Sequence, residues 1–544
     1  GNDITTGGYN VILGHWAGAQ ITGGGENIAV GRLSMGAGNV TGCCNVFLGV
    51  YSGCKMTSGH RNIALGLSAL RDAATVNDTI AIGRLSGKTA GGGNANIFLG
   101  AYSGSQNGTA ADNDAANNIA IGYATGCGLT DGDNNIFMGN NAGAQTTTGL
   151  ANVLIGNYAG QCHVSGSENV YIAHCAGRCM CNGSDNVAIG HQAMQGGSTP
   201  ANNTGGCNIA IGYQAGIGLT NATCNIAIGY QAGCSMQKVE NIAIGKQAGA
   251  LIGAGLGRNV FIGEVAGRGQ GTASDNTATS NVGVGPDALN KLTTGSCNVG
   301  VGLAAGACLS TGSQNTFIHY FSGRYVSTGT GNLGIGRGAG AKLGAGSYNV
   351  SLGYDAGFGN CTGGTAADND ASRNISIGYQ PGHNLTDGDD NIFLGHQAGY
   401  NINTGACNVM LGYKVGTGYT SGNKNIFIGQ YAGKGATDAT GSNNIAIGEK
   451  AGQVMAGAGD NVILGVEAGC ILTDGNTNVF LGKFAGSCVT TGSNNVAIGC
   501  YAGRKTTGTG NINIGATRCE MSDYNVTIGH CIGRCPMGDG NVVL

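Results

Sequence analysis

Asn208-Ile209-Ala210-Ile211-Gly212-Tyr213-Gln214-Ala215-Gly216 decides the fold, because the chain repeats this phrase along almost its whole length. Asn225-Ile226-Ala227-Ile228-Gly229-Tyr230-Gln231-Ala232-Gly233 follows 17 residues later. The same 17-residue step carries Asn135 to Asn152, Asn169 and Asn186, and Asn391 to Asn408 and Asn425. The unit is N-[IV]-x-[IL]-G-x-x-A-G followed by a polar stretch, and its Asn is taken here as position one. Thr79 replaces that Asn, and Ala173 and His319 replace the first glycine.

A unit this short holds neither a helix pair nor a propeller blade, but it suits one coil of a stacked sheet. Its Asn-led segment is rich in β-branched residues at alternate positions, the signature of a strand. The glycines that follow allow backbone with positive φ or close approach between coils. The predicted fold class is therefore all-β, a parallel β-solenoid (β-roll) of about thirty coils, each needing its neighbours to bury its apolar face. Stacked at about 4.8 Å per coil, such an array makes a rod on the order of 150 Å long.

One continuous array is expected over residues 1–544, with loop insertions near 105–117, 195–206, 268–280 and 358–373. Gly1 to Tyr9 read as the tail of one coil and Asn541 to Leu544 as the start of another, so a longer array is expected. Composition agrees with the fold. Glycine supplies 109 of 544 residues, proline 4, and charged residues 10%. Collagen needs a G-X-Y triplet and disorder needs low hydrophobicity, and neither fits 41% hydrophobic residues. A net charge of −3 without basic runs leaves no footprint for nucleic acid. No apolar stretch reaches the roughly 18 residues of a membrane helix.

Stacked at one position, the Asn column (Asn135, Asn152, Asn169, Asn186, Asn208, Asn225, Asn391, Asn408, Asn425) is expected to form an amide ladder. Positions two and four, always Ile, Val or Leu in the clean copies, are expected to face the interior. Position three would then face outward, although it is mostly Ala or Phe: Phe47, Phe98, Phe137, Phe261, Phe317, Phe393, Phe427, Phe480. An outer apolar stripe implies a second buried surface, best supplied by further copies of the chain.

The repeated N-[IV]-A-I-G-x-x-A resembles the head repeats of YadA-type trimeric autotransporter adhesins. The 17-residue spacing, with Tyr-Gln-Ala after the Gly and Thr-Gly before the next Asn, is similar to repeats of phage and virus tail-fibre proteins. The resemblance implies parallel β-rolls, commonly trimeric, serving as surface adhesins or receptor-binding fibres. It departs from the adhesins in having the longer unit and 21 cysteines. The expected function is a non-catalytic, structural or adhesive fibre shaft, extracellular on a cell or virion surface. Its expected partners are itself, as a trimer or a head-to-tail filament, and cell-surface glycans or receptors. A cellular filament subunit and an ice- or carbohydrate-binding solenoid are the alternatives. The Thr column (Thr130, Thr147, Thr220, Thr386, Thr420, Thr437, Thr473, Thr490) is interrupted and lacks the paired spacing of an ice-binding face.

Candidate disulfide cysteines are Cys162 with Cys179, Cys207 with Cys224, and Cys470 with Cys488, since coils one step apart bring Cα atoms into bridging range, while within-coil pairs such as Cys44 with Cys54 and Cys224 with Cys234 compete. No cofactor is expected. Calcium is a weak candidate at the D-N-D insertions, through Asp112, Asp114, Asp368 and Asp370, against a plain solvated turn. His174-Cys175-Ala176-Gly177-Arg178-Cys179 and its copy at 530–535 suggest metal less than disulfide, and no firm metal site emerges. Ile82-Gly83-Arg84-Leu85-Ser86-Gly87-Lys88-Thr89 is one residue short of a P-loop and lies inside a coil, so no enzyme is expected.

Overall fold

The computed structural model describes residues 4–36, 38–105, 113–197, 203–253, 257–360, 369–516, 520–530 and 537–544. The chain forms a parallel β-solenoid of about 29 turns, about 17 residues apart. It divides into two compact units, Gly1–Thr277 and Ala278–Leu544, built on one plan. In the first, strands of three residues recur from Val11–Leu13 to Val260–Ile262. In the second they recur from Val282–Val284, with the last, Val542–Val543, cut to two residues.

Within each unit neighbouring strands pair in parallel and in strict register. Val153 lies beside Val170, and Val170 beside Val187. Insertions leave this register intact, for Val187 still pairs with Ile209 and Val350 with Ile375. The strands end after three residues because position five leaves the β region. Gly139, with φ of 130°, is typical. A Cβ there would stand 2.5 Å from the Gly156 carbonyl oxygen of the next turn.

Corners continue the hydrogen bonding rather than interrupt it. Tyr158 N–H donates to Asn140 of the preceding turn at 2.9 Å, and Gly160 N–H to Ala176 of the next at 2.9 Å. Positions seven and seventeen sit in the left-handed region although they are rarely glycine, as Tyr158 (59°), Gln214 (53°), Cys207 (57°) and Cys224 (59°) illustrate. That conformation costs an L-residue about 1–2 kcal/mol. The lattice of inter-turn bonds overrides the local preference.

The expected sidedness of the strand is reversed. Position three is the buried one, with Phe98, Phe137, Phe393 and Ala210 fully inaccessible, whereas positions two and four are partly exposed in almost every strand. The Asn explains the reversal. Its side chain points inward, and strand side chains alternate, so an inward position one carries position three inward too. Ile and Val at two and four are then forced outward, however apolar they are.

In several turns the interior is filled by trading volume between positions three and nine. Where position three is aromatic, position nine is glycine: a Cβ on Gly104 would stand 2.3 Å from the Phe98 ring, and one on Gly53 2.8 Å from Phe47. Where position three is Ala29, Ala64, Ala188 or Gly283, position nine holds Met35, Leu70, Met194 or Leu289, all fully buried. Elsewhere, as at Ala210 with Gly216 and Ala227 with Gly233, both positions are small and position twelve fills the space: a Cβ on Gly216 would stand 2.6 Å from Leu219 and one on Gly233 2.1 Å from Met236.

Position twelve completes the core, normally with Leu, Ile, Met or Val. Tyr419 is an exception whose buried hydroxyl has no partner. Tyr419→Phe is expected to raise the second unit's stability by about 1 kcal/mol, because an orphaned buried hydroxyl costs that much or more. Chemical denaturation of the two proteins measures it.

Candidate functional surface

Every Asn expected in the ladder is buried and bonded to its neighbours. Asn135 shows the pattern in full. Its Nδ2 donates to Asn118 Oδ1 at 3.0 Å and to the Gly149 carbonyl at 2.8 Å. Its Oδ1 accepts from the Asn152 backbone N–H at 2.9 Å and from Asn152 Nδ2 at 3.0 Å. Two donors and two acceptor sites are thereby all engaged, which an amide inside a dry coil requires. The same arrangement recurs at Asn152, Asn169, Asn186, Asn208, Asn391, Asn408 and Asn425, and at Asn225 the second Nδ2 bond goes to the Thr223 carbonyl instead. This column is structural machinery and offers nothing to a ligand.

The insertions reveal a second set of buried asparagines that repeat-spacing arguments miss. Asn113 Nδ2 donates to the Thr89 carbonyl at 2.9 Å, Asn203 to Cys179 at 2.7 Å, Asn276 to Leu251 at 2.8 Å and Asn369 to Lys342 at 2.7 Å. Each anchors the chain where it rejoins the coil. The middle residue of both D-N-D segments is thus a re-entry anchor. Asp114 accepts from the Gly92 N–H at 2.9 Å. Asp370 lies against Asp387 of the next turn, whose carboxyl is held above its usual range by burial and then by Asp370. Asp112 and Asp368 lie outside the described residues. Among the described residues no group of three His, Cys, Asp or Glu side chains is placed to hold a metal.

The described cysteines are free thiols. Cys162 and Cys179 share one column in adjacent turns, with Sγ atoms 3.7 Å apart. Cys207 and Cys224 are both exposed at position seventeen of adjacent turns. Cys470 and Cys488 do not correspond, because an 18-residue separation offsets them by one column. Cys470 Sγ faces the Ser487 carbonyl instead, at 3.3 Å. In the first H-C-x-G-R-C segment, Cys175 Sγ lies 3.7 Å from His174 Nε2. Cys531 and Cys535 of the second lie outside the described residues.

His163 occupies a core position normally held by Leu. Its ring nitrogens lie 2.8 Å from the Met180 and Gly166 carbonyls. Burial lowers its pKa, partly opposed by those carbonyls, so the folded turn prefers the neutral ring. The unfolded chain therefore takes up the proton first as pH falls below about 6.5, and stability is lost on acidification through that range. His163→Leu is expected to lessen the fall in melting temperature between about pH 7 and pH 5, read by calorimetry.

The Thr column turns its hydroxyls onto the backbone. Thr130 Oγ1 donates to the Thr147 carbonyl at 3.2 Å, Thr147 to Val164 at 3.3 Å and Thr473 to Thr490 at 3.0 Å.

The outward side of the strands is apolar. Ile82, Ile377, Ile447 and Leu464 at position four are each 36–38% exposed, and position two beside them is aliphatic in every described strand except for Thr316. Position six extends this face with stacked rings. His174, His191, Tyr213 and Tyr230 stack at 4.9, 5.3 and 5.3 Å in the first unit. Tyr354, Tyr379, His396 and Tyr413 stack at 5.1, 4.9 and 5.0 Å in the second. Beside the first stack, Gln192, Gln214, Gln231 and Gln247 form an amide ladder at 2.9–3.0 Å.

Among the described residues no helix is long and apolar enough to cross a membrane. No protein-family model matches the chain, and no curated protein matches it.

Proposed function

We propose that this chain is the non-catalytic shaft of an extracellular fibre, assembled from parallel copies of itself that share their Ile/Val faces, with a trimer as the assembly. The supporting observation is the uncovered aliphatic surface at positions two and four. Solvated sheet faces normally carry polar residues, and monomers rarely expose contiguous apolar patches beyond a few hundred Å². The strip runs through every turn of each unit, so its area grows with the number of turns toward the ~800 Å² per partner of a standard interface.

A second copy suits this surface because it presents the same columns at the same repeat, so aliphatic side chains interdigitate without a charge being buried. The resemblance to tail-fibre repeats and to YadA-type adhesin heads points to the same assembly. The mechanical role follows from the lattice: continuous inter-turn hydrogen bonds and a fully satisfied Asn ladder resist local opening and proteolysis. Thr hydroxyls that donate to backbone carbonyls of the next turn weigh against an ice-binding face.

Light scattering and sedimentation of the purified chain test the reading, and three chains per particle are expected. Replacing Ile209, Ile211, Ile226 and Ile228 by Lys leaves the coil interior untouched. Those substitutions are expected to weaken assembly while the β circular-dichroism signal persists. A wild-type chain that stays single at micromolar concentration overturns the proposal.

A further inference from the structure

We propose that Cys162 and Cys179 are an oxidation site that closes into a disulfide staple across two adjacent turns. Both residues occupy position eleven, so the in-register stacking that pairs Val153 with Val170 also places their backbones one turn apart. Their Sγ atoms already lie 3.7 Å apart, in direct contact but longer than an S–S bond of about 2.05 Å. Both side chains are partly exposed, so an oxidant reaches them. Cys162 N–H is held by the Arg178 carbonyl at 2.9 Å, which keeps the two turns stacked at this column.

The contrast with Cys470 and Cys488 sharpens the assignment. Those two are offset by one column, and Cys470 faces a carbonyl rather than a thiol. Cys181, the other sulfur nearby, is directed to the Cys162 carbonyl at 2.9 Å.

With glutathione disulfide as oxidant the chemistry balances. One cysteine thiolate attacks a glutathione sulfur, releasing one glutathione and leaving a mixed disulfide. The second cysteine then displaces the other glutathione. The two cysteine protons end on the two glutathione thiols, and two electrons pass from the cysteine pair to the oxidant. Burial and then the neighbouring Cys179 push the Cys162 thiol up to about 12, so the reaction quickens as pH rises.

The test uses the folded full-length chain, incubated with glutathione disulfide at mildly alkaline pH, acid-quenched and alkylated. Cutting after Lys and Arg, after Glu and before Asp yields fragment 133–168, whose one cysteine is Cys162, and fragment 179–184 with Cys179 and Cys181. The two fragments are expected joined, two hydrogens lighter than their sum and separable by reductant. The link is expected to persist in Cys181→Ser and to vanish in Cys179→Ser, while Cys470 and Cys488 take up alkylating label. The proposal is overturned if, in folded Cys181→Ser, Cys162 and Cys179 are both alkylated or each carries glutathione. It is equally overturned if Cys470 and Cys488 link as readily, since shared column position would then not govern bridging.

Discussion

Asn135→Leu is expected to destabilise the first unit by about 4 kcal/mol, although leucine is larger and more apolar than the residue it replaces. The loss does not come from the removed side chain's own area. It comes from what the amide leaves behind: the Asn152 backbone N–H and the Gly149 carbonyl, both inside the coil, lose the partners they have at 2.9 and 2.8 Å. Each buried orphan of this kind costs about 1–3 kcal/mol, and the fitting of a branched side chain adds strain. Aspartate is expected to do no better, because its oxygens would face Asn118 Oδ1 and the Gly149 carbonyl where two N–H groups now donate. Repeat arrays transmit damage mainly to nearest neighbours. Hydrogen exchange should therefore show protection lost first in the turns around Asn118, Asn135 and Asn152, with distant turns less affected. Uniform protection along the unit would mean that the ladder contributes little.

The second large effect is expected from Gly104→Leu, which places a side chain into the Phe98 ring, where even a Cβ would stand at 2.3 Å. Overpacking and the left-handed backbone, φ 54° at Gly104, act together, and a loss of about 3 kcal/mol or more is expected. Phe98→Ala alone is expected to cost about 3–5 kcal/mol by leaving a cavity. The double variant is expected to recover most of both losses, because it recreates the arrangement already present at Ala64 with Leu70 and at Ala188 with Met194. Denaturant melts of the four proteins give the coupling energy directly. Simple additivity of the two single losses would show that positions three and nine do not share one volume.

Much of the architecture is legible before any coordinates. The 17-residue step, the position of each strand and the stacking of Asn on Asn follow from periodicity alone, because a repeated unit must sit on its copies. The sidedness of the strand was not legible. Hydrophobic residues are normally assigned to the interior, yet Ile209 and Ile211 face outward while Ala210 faces in. An aliphatic pair on both sides of a small residue admits either parity. The buried asparagine breaks the tie, since its four hydrogen bonds exist only between the turns.

The surface reading changed with it. The outer stripe is the Ile/Val pair with its Tyr and His stacks, not the Phe column, and Phe393 or Phe480 is a core filler balanced by the glycine six residues later. In isolation the D-N-D phrases pose a plain solvated turn against a weak calcium candidate, and neither reading gives the middle Asn a role in the core. Seen in the fold, Asn113 and Asn369 bond to carbonyls of the preceding turn, a contact between residues 24 and 27 apart that no local motif announces.

From sequence alone come the fold class, the period and the residues of the amide ladder, since these depend only on like stacking upon like. Which face is dry, which cysteines meet and how insertions rejoin the coil depend on the alternation of side chains and on where buried amides find partners. Those are properties of neighbouring turns in three dimensions, and only the tertiary structure decides them.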